Sequence, residues 1–526
     1  MRKDLLLLLF RCSCGIGVVL ACLRAPIVKA TGPSSAAEWY AAGQRAVEEA
    51  SKLQANTAPA RNVILFIGDG MGVSTVTAAR ILEGQRRGES GEENLLSFER
   101  FPYVALSKTY SVNQQTSDSA PTMTAMMTGV KTKDRMLSVN QEARKGDYTT
   151  VAGNELTTLL ELAEDRGLST GVVTTARLTH ATPGACYAHT VDRDWEFDGK
   201  LPLAAREAGF PDIARQLIEF RHGDGLEVAL GGGRSFFLPE TVADPEDPEK
   251  TGSRLDGRDL TAEWRNKTNA AYVWNKPQLN AVNSANTAHL LGLFESNHMK
   301  YETDRMTDVA GEPSLSEMTS KAIDILAKNP TGFFLMVESG RIDHAHHAGN
   351  AYRALTEVIE LSNAVKVAQE KTDPRNTLII VTADHSHTLT ISGYPKRGNP
   401  ILGLVIEPGK DTPAKDLLGL PYTTLNYANG PGYTGASDKQ PAGTKTYPHR
   451  PESYQQEPHS RPNLNSVDTT TPRYMQEAIF PLEAETHGGE DVTIYAIGPQ
   501  AHLIHGVLEQ NVIFHVMKTA LFPRQP

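Results

Sequence analysis

Two short histidine-rich segments carry the strongest chemical signal in this sequence. They read Asp343-His344-Ala345-His346-His347 and Asp384-His385-Ser386-His387, and together they hold five of the sixteen histidines. Asp343 and His347 are four residues apart, a spacing that places two side chains on one face of a helix. Imidazole and carboxylate ligands together are typical of Zn²⁺ sites. The sequence therefore predicts a metal site rather than two exposed polar loops.

A candidate nucleophile lies in the segment Thr116-Ser117-Asp118-Ser119-Ala120-Pro121-Thr122. Proline is tolerated in the first turn of a helix, so we expect Ser119 at a helix N-terminus, where free backbone N–H groups bind phosphate. A metal ion could stabilise the serine alkoxide there. Taken alone, a serine at this position is better explained as an N-capping residue. The two metal-binding segments favour the nucleophile.

Apolar runs typical of buried strands recur along the chain and alternate with helical patterns. The predicted strands cover residues 62–68, 171–175, 228–231, 333–337, 378–382 and 492–498, and the clearest helices cover 155–166 and 355–370. This alternation predicts an α/β fold with one large, mostly parallel β-sheet flanked by helices on both faces. Ligand sites in such sheets lie at the carboxyl ends of the strands. Asp69, Glu338, Asp384 and His385 come at such ends, so we expect them along one sheet edge.

Residues 1–30 have the pattern of an export signal peptide. Met1-Arg2-Lys3 supplies positive charge, apolar stretches follow, and Val28-Lys29-Ala30 ends in the small residue that signal peptidases require. We expect cleavage after Ala30; the alternatives are an uncleaved anchor or lipid attachment at Cys22. Arg11 shortens the apolar run below the ~20 residues that a spanning helix needs. The predicted product is soluble and periplasmic or extracellular.

The mature chain is acidic. Removal of the leader takes away five basic residues and one acidic residue, which moves the formal net charge from −10 to −14. This charge disfavours nucleic acid or an anionic membrane surface as a partner. Only Cys186 remains among the four cysteines, so no internal disulfide is expected. Stability must then come from core size and bound metal.

Two segments are predicted to be accessory to the sheet. Residues 31–60 form an N-terminal helix and linker, with an amphipathic pattern over 35–53. Residues 412–471 are rich in Pro, Gly, Ser, Thr, Asn and Tyr and lose the apolar period, which predicts a small irregular inserted subdomain or a disordered loop. The catalytic α/β domain is expected to comprise residues 61–411 and 472–526.

Seven ordered motifs resemble those of the alkaline phosphatases. They are Asp69-Gly70-Met71-Gly72, Asp118-Ser119-Ala120, His180-Ala181-Thr182-Pro183, His189-Thr190-Val191-Asp192-Arg193, Glu338-Ser339-Gly340-Arg341-Ile342-Asp343-His344, Thr382-Ala383-Asp384-His385-Ser386-His387 and Glu485-Thr486-His487. The match spans about residues 62–518, and seven motifs in order make a chance match rare.

This resemblance implies a role for each matching residue. One Zn²⁺ would be held by Asp343, His347 and His487, and a second by Asp69, Asp384 and His385, with Ser119 as its exchangeable ligand. Asp69 would also bind a Mg²⁺ held by Thr182 and Glu338. Two zinc ions about 4 Å apart clamp the attacking and leaving oxygens of a phosphoryl transfer.

Further residues would support the reaction. Arg193 would clamp the two remaining phosphoryl oxygens. His387 resembles a donor to the zinc-binding carboxylates rather than a ligand. His180 and His344 resemble the animal branch of the family at the magnesium position, where enteric bacterial enzymes carry Asp and Lys. The animal branch usually has two disulfides and a C-terminal lipid-anchor signal, which this chain lacks, so its lineage stays ambiguous and no stable anchor is expected.

The resemblance also implies a calcium ion and a partner. A Ca²⁺ would be bound by Glu246, the Phe294 carbonyl, Glu295 and Glu312, because hard oxygen ligands suit this ion; plain solvated acids are the alternative. In the family, pieces corresponding to residues 35–53 and 412–471 pack against a two-fold mate, with Tyr394 directed toward the partner's site, so a homodimer is expected.

The expected activity is hydrolysis of phosphate monoesters, with phosphoserine at Ser119 as intermediate. A two-zinc clamp does not by itself select the ester. A phosphodiesterase or a sulfatase-like hydrolase of the same superfamily is therefore the alternative enzyme, and a catalytically silent metal- or phosphate-binding protein is the alternative of another class. The intact Ser119 and Arg193 argue against a silent protein.

Overall fold

The computed structural model describes residues 32–33, 35–456 and 461–523. The predicted signal peptide, residues 1–30, lies outside the described residues and stays a prediction.

The strands are numbered in chain order. They are β1 (Asn62–Gly68), β2 (Tyr103–Lys108), β3 (Ser169–Arg177), β4 (Val228–Gly232), β5 (Ala270–Val273), β6 (His289–Leu293), β7 (Phe333–Ser339), β8 (Thr377–Ala383), β9 (Ser386–His387), β10 (Leu389–Ile391), β11 (Leu425–Gly430), β12 (Ala478–Pro481), β13 (His487–Gly488), β14 (Val492–Ile497) and β15 (Gly506–Glu509).

Within the described residues, ten strands form one sheet in the order β15-β2-β14-β8-β1-β7-β3-β4-β6-β5. The pairs on either side of β1 are parallel, and β14 runs antiparallel to β8 and β2. Strand β1 is buried along its whole length, as its continuous apolar sequence predicts for the middle of a parallel sheet.

The helices are also numbered in chain order. They are α1 (Ala36–Ser51), α2 (Val73–Arg86), α3 (Ser119–Thr128), α4 (Leu159–Glu164), α5 (Ala181–Gly184), α6 (Leu203–Glu207), α7 (Ile213–Ile218), α8 (Leu260–Arg265), α9 (Lys276–Ala281), α10 (Leu315–Leu326), α11 (Arg341–His347), α12 (Ala351–Lys371) and α13 (Val512–Leu521).

The core lies in two layers, one on each face of the sheet. Val63 and Leu65 belong to the layer that includes α3 and α13, whereas Ile64 and Phe66 belong to the layer that includes α10 and α12. Successive side chains of a strand point to opposite faces, so a fully apolar strand joins both layers. The predicted α/β fold class is confirmed.

Strand register brings the chemical residues to one edge. Gly68 pairs with Ser339 of β7 and with Ala383 of β8. The residues that follow β1 and β8, Asp69 and Asp384, and the penultimate residue of β7, Glu338, therefore meet beyond the carboxyl ends of three adjacent strands.

A second, three-stranded sheet has the order β10-β11-β12. Only β11 comes from the segment 412–471, and β10 and β12 come from either side of it. The small sheet therefore includes residues on both sides of the predicted insertion, 412–471. None of the helices in the described ranges is both long and apolar enough to cross a membrane.

Candidate metal centre and active site

Ser119 is the first residue of α3. Asp118 caps this helix by accepting a hydrogen bond from the Ala120 N–H at 2.8 Å, so Ser119 is free of the capping role. The Ser119 side chain is buried, and its Oγ lies 3.2 Å from Nε2 of His385. The helix N-terminus adds a positive dipole end at this position.

Arg193 lies over the same helix N-terminus. Its Nη1 donates to Asp118 Oδ1 at 3.3 Å, and its Nη2 lies 2.9 Å from Nε2 of His180. Two neighbours on different segments thus hold the guanidinium plane. This is the arrangement that a bidentate clamp on an anion requires.

One group of ligand atoms follows strands β1 and β8. Asp69 Oδ1 and Asp384 Oδ2 lie 3.4 and 3.2 Å from Nε2 of His385. All three side chains are fully buried. Burial, together with the neighbouring carboxylates, raises the pKa of Asp69 well above its ordinary value. A cation between these groups would offset that cost.

A second group joins α11 to strand β13. Asp343 Oδ1 lies 3.2 Å from Nε2 of His347 and 3.3 Å from Nε2 of His487, and the two Nε2 atoms are 3.2 Å apart. In each imidazole Nδ1 faces a backbone carbonyl: His487 faces Ser117 at 2.7 Å and His347 faces Glu485. A carbonyl oxygen can only accept a hydrogen bond, so Nδ1 of each ring carries the N–H. In the neutral imidazole, Nε2 then carries the lone pair directed at the group.

His387 lies between two carboxylates. Its Nε2 donates to Asp343 Oδ1 at 2.8 Å and its Nδ1 donates to Glu485 Oε2, and all three groups are buried. Burial would lower the pKa of His387, but Glu485 and Asp343 outweigh it and raise that pKa to about 10. A doubly protonated imidazole has no lone pair for a metal, so His387 orients Asp343 instead.

A third group contains Asp69, His180 and Glu338, with ligand atoms that all lie within 4.8 Å of one another. Thr182 Oγ1 and Glu338 Oε1 are buried without hydrogen-bond partners, while Glu338 Oε2 accepts from Thr174. Burial raises the pKa of Glu338 to about 7. Oxygen ligands with an imidazole to one side fit Mg²⁺ with part of its water shell.

The residues of all three groups fit metal ions. Both oxygens of Asp69, Asp384 Oδ2, Thr182 Oγ1 and Glu338 Oε1 are buried polar atoms without a hydrogen-bond partner. Buried polar atoms are rarely left unsatisfied in native proteins. Here these atoms converge on one edge of the sheet, beside imidazoles whose Nε2 lone pairs face the same space.

The family model for alkaline phosphatase matches residues 60–522. The chain belongs to the alkaline phosphatase family. The tissue-nonspecific isozyme of Gallus gallus is 46% identical over 490 residues, covering 92% of this chain and 88% of that protein. The alkaline phosphatase of Gadus morhua is 44% identical, covering 92% of this chain and 96% of that protein.

Solved structures of the family share the fold. The alkaline phosphatase of the Antarctic bacterium TAB5 has a TM-score of 0.58 at 22% identity and covers 89% of this chain and 100% of that chain. The Thermus thermophilus enzyme has a TM-score of 0.61 at 24% identity, with 90% and 93% covered. One TAB5 variant, in which a histidine is replaced by aspartate, holds magnesium in the site called M3.

These matches confirm the predicted family and the enzyme class, a phosphoric monoester hydrolase. Metal dependence follows from family membership and from the buried ligand groups.

Several residues around the candidate active site were not predicted from the sequence. His298 packs against His180 and His344, with ring centroids 5.4 and 4.1 Å away. Arg341 lies 3.8 Å over the Tyr301 ring and donates to Nδ1 of His344 at 3.0 Å. His298 comes from an irregular segment, where the sequence gives no signal for its position. Arg341 belongs to the motif of residues 338–344 but had no role assigned to it.

His346 belongs to a predicted metal-binding segment but lies away from the ligand groups. Its Nδ1 lies 2.7 Å from the Tyr427 hydroxyl and its Nε2 lies 3.1 Å from the Thr75 hydroxyl. His346 is three residues after Asp343, so helical spacing alone does not separate it from His347, and only its hydrogen bonds show that it lies outside the ligand groups.

The predicted calcium ligands do cluster in space, but around a lysine. Glu295, Asp308 and Glu312 all contact Lys300, and Glu246 contacts Arg234. The chain therefore supplies N–H donors at the position where Ca²⁺ is expected.

Proposed function

We propose that this chain hydrolyses phosphate monoesters to an alcohol and inorganic phosphate through a phosphoserine at Ser119. The observation that carries the proposal is the position of Ser119 Oγ. It lies at the N-terminus of α3, 3.2 Å from His385 Nε2, within the edge where partnerless carboxylate oxygens converge. A serine in such a place can be deprotonated without a histidine base.

Each group of this chain then has a task. Arg193, held by Asp118 and His180, binds two non-bridging phosphoryl oxygens and fixes the ester for in-line attack by Ser119. The N–H groups at the start of α3 stabilise the negative charge on the same oxygens. Burial of Ser119 and His385 keeps bulk water from the reacting atoms.

We propose two Zn²⁺ and one Mg²⁺ for this centre. Asp343, His347 and His487 would hold one zinc ion, Asp69, Asp384 and His385 the other, and Asp69, Thr182 and Glu338 the magnesium ion. When bound, the zinc ions act as Lewis acids and lower the pKa of bound water. His387 and Glu485 fix Asp343, and the carbonyls of Ser117 and Glu485 fix the two histidine tautomers.

The activity is tested with an aryl phosphate, an aryl phosphodiester and an aryl sulfate, each with and without a chelator. We expect the monoester to be hydrolysed at least 100-fold faster than the others, and the chelator to abolish the reaction. Preference for the diester or the sulfate would contradict the proposal. No turnover of any ester by zinc-loaded protein would support the silent binding protein.

The covalent step is tested with an alcohol acceptor and Ser119→Ala. We expect the acceptor to divert phosphoryl groups into a transfer product, and Ser119→Ala to remove most of the rate, since the remaining groups activate water only weakly. Ser117→Ala is the matched control, because the Ser117 hydroxyl bonds only a backbone carbonyl. Full activity of Ser119→Ala, or no transfer product, would contradict a phosphoserine.

We further propose an exported homodimer. Helix α1 has no buried residue, and Trp39, Tyr40 and Val47 are 55%, 71% and 71% exposed. Tyr394 is 82% exposed beside the small sheet. Exposed aromatic residues on an ordered amphipathic helix are typical of a surface that a second copy covers.

A further inference from the structure

A cluster of carboxylates lies outside the three metal-ligand groups, where β6 leads into an irregular segment. Glu295 comes two residues after β6, Asp308 and Glu312 come from the segment that precedes α10, and Glu246 joins them from the segment between β4 and α8. Glu312 and the Asp308 side chain are both only 2% exposed. Four carboxylates at one buried position repel one another unless positive charge accompanies them.

Lys300 reaches the middle of this cluster. Its ammonium forms ion pairs with Glu295 and, at 2.9 Å, with Asp308 Oδ1. Its backbone N–H lies 3.1 Å from each oxygen of Glu312. One residue thus contacts three carboxylates, two through its side chain and one through its main chain.

The fourth carboxylate has its own cation. Arg234 is 1% exposed and donates to Glu246 at 2.8 Å and to both oxygens of Asp244 at 2.7 and 2.9 Å. Arg234 also donates to the Leu293 carbonyl, so it ties the cluster to the end of β6. Each carboxylate therefore has an N–H donor from the chain.

We propose that the Lys300 ammonium is a built-in replacement for a divalent cation at this cluster, so that the fold here is independent of calcium. Ca²⁺ requires six to eight oxygen ligands at 2.3–2.6 Å. Lysine offers three donors and no acceptor, so it takes up carboxylate oxygens and adds none. An ion bound to Glu295 and Asp308 would have to displace Lys300 into solvent.

The test is a Ca²⁺ titration of the full, zinc- and magnesium-saturated protein at pH 7, followed by thermal unfolding and calorimetry. The variant is Lys300→Gln, which keeps a polar side chain and removes the charge. We expect no change of the wild-type Tm up to 1 mM Ca²⁺. We expect Lys300→Gln to unfold at a lower temperature, and to recover roughly 3 °C at a Ca²⁺ concentration one hundred times its Kd.

Two further variants make the result specific. Lys300→Arg keeps the charge and should stay insensitive to calcium. Lys250→Gln removes the surface ion pair with Asp247 and should resemble the wild type, because its side chain is 67% exposed. A calcium-dependent rise of the wild-type Tm, or a folded Lys300→Gln that ignores calcium, would overturn the proposal. If Lys300→Gln folds only when expressed with calcium, that outcome supports it.

Discussion

The buried triad Asp343–His387–Glu485 offers a quantitative test of how the metal centre is supported. We consider His387→Gln, Glu485→Gln and the double variant. Glu485 accepts from His387 Nδ1, and also from the Thr388 N–H at 2.7 Å and the Thr388 hydroxyl at 2.6 Å. Removal of His387 leaves this buried anion without its cation, and removal of Glu485 leaves the imidazolium with one counter-charge.

The expected loss of stability follows from the electrostatics of the His387–Glu485 pair. The pKa of His387 is about 10, and its ordinary value is 6.5. At 1.36 kcal/mol per pKa unit, the net stabilisation of the charged imidazole, after the opposing effect of burial, is about 5 kcal/mol. Breaking a buried pair costs about 3–5 kcal/mol. For a chain of this length about 1 kcal/mol corresponds to roughly 1 °C, so each single variant should lower the Tm by about 3–5 °C.

The assay is a double-mutant cycle on zinc-saturated protein by thermal unfolding. We expect the Tm of the double variant to fall no further than that of the single variant with the smaller fall, because the second substitution removes a group already left without its partner. The exposed pair Lys366–Glu370, 3.9 Å apart, is the control and should show a coupling below about 0.5 kcal/mol. Additive losses at His387 and Glu485 would refute the reasoning.

Three further predictions follow from the structure. His180→Asp should strengthen Mg²⁺ binding by about tenfold, because a carboxylate attracts the water shell of a hard cation better than imidazole does; identical Mg²⁺ activation curves for variant and wild type would contradict this. Burial raises the pKa of Glu164 to about 8 from its ordinary 4.5, so its contribution to stability is present below pH 4.5 and is lost as the pH rises through 8. Glu164→Gln should therefore gain a few degrees of Tm over wild type between pH 5 and pH 9, whereas the exposed Glu249→Gln should not. Deletion of residues 35–53 should shift the mass in light scattering from two chains toward one, and a wild-type protein that is monomeric at micromolar concentration would refute the dimer.

The sequence predicted the sheet edge well because buried parallel strands leave a continuous apolar run. Asp69 and Asp384 directly follow such runs, and their meeting follows from the parallel register alone. The helix predicted at 155–166 is shorter, Leu159–Glu164. Thr158 and Glu161 form a capping box that fixes its start, and Gly167 with a φ of 72° lies just beyond its end.

Other features depended on tertiary packing, which the periodicity of apolar residues does not predict. Lys300, Asp308 and His298 lie in the irregular segment between β6 and α10, where side-chain directions depend on tertiary contacts. The family resemblance named three carboxylates of this cluster, Glu246, Glu295 and Glu312, but neither Asp308 nor the lysine among them. The small sheet extends beyond the predicted insertion. The sequence did not predict this, because β10 and β12 are too short to show a recognisable strand pattern.

The two-residue strand β13, which pairs His487 with His387, has a consequence for biosynthesis. A ribosome that adds 5–20 residues per second produces His487 roughly 20–80 s after Asp69. The group of Asp343, His347 and His487 is therefore completed only when almost the whole chain has been synthesised, whereas the two groups around Asp69 do not need His487. A chain that ends shortly before residue 487 retains eight of the ten strands of the large sheet but lacks the imidazole that completes this group. A metal ion held by this group therefore shows that the chain has been synthesised almost to its end.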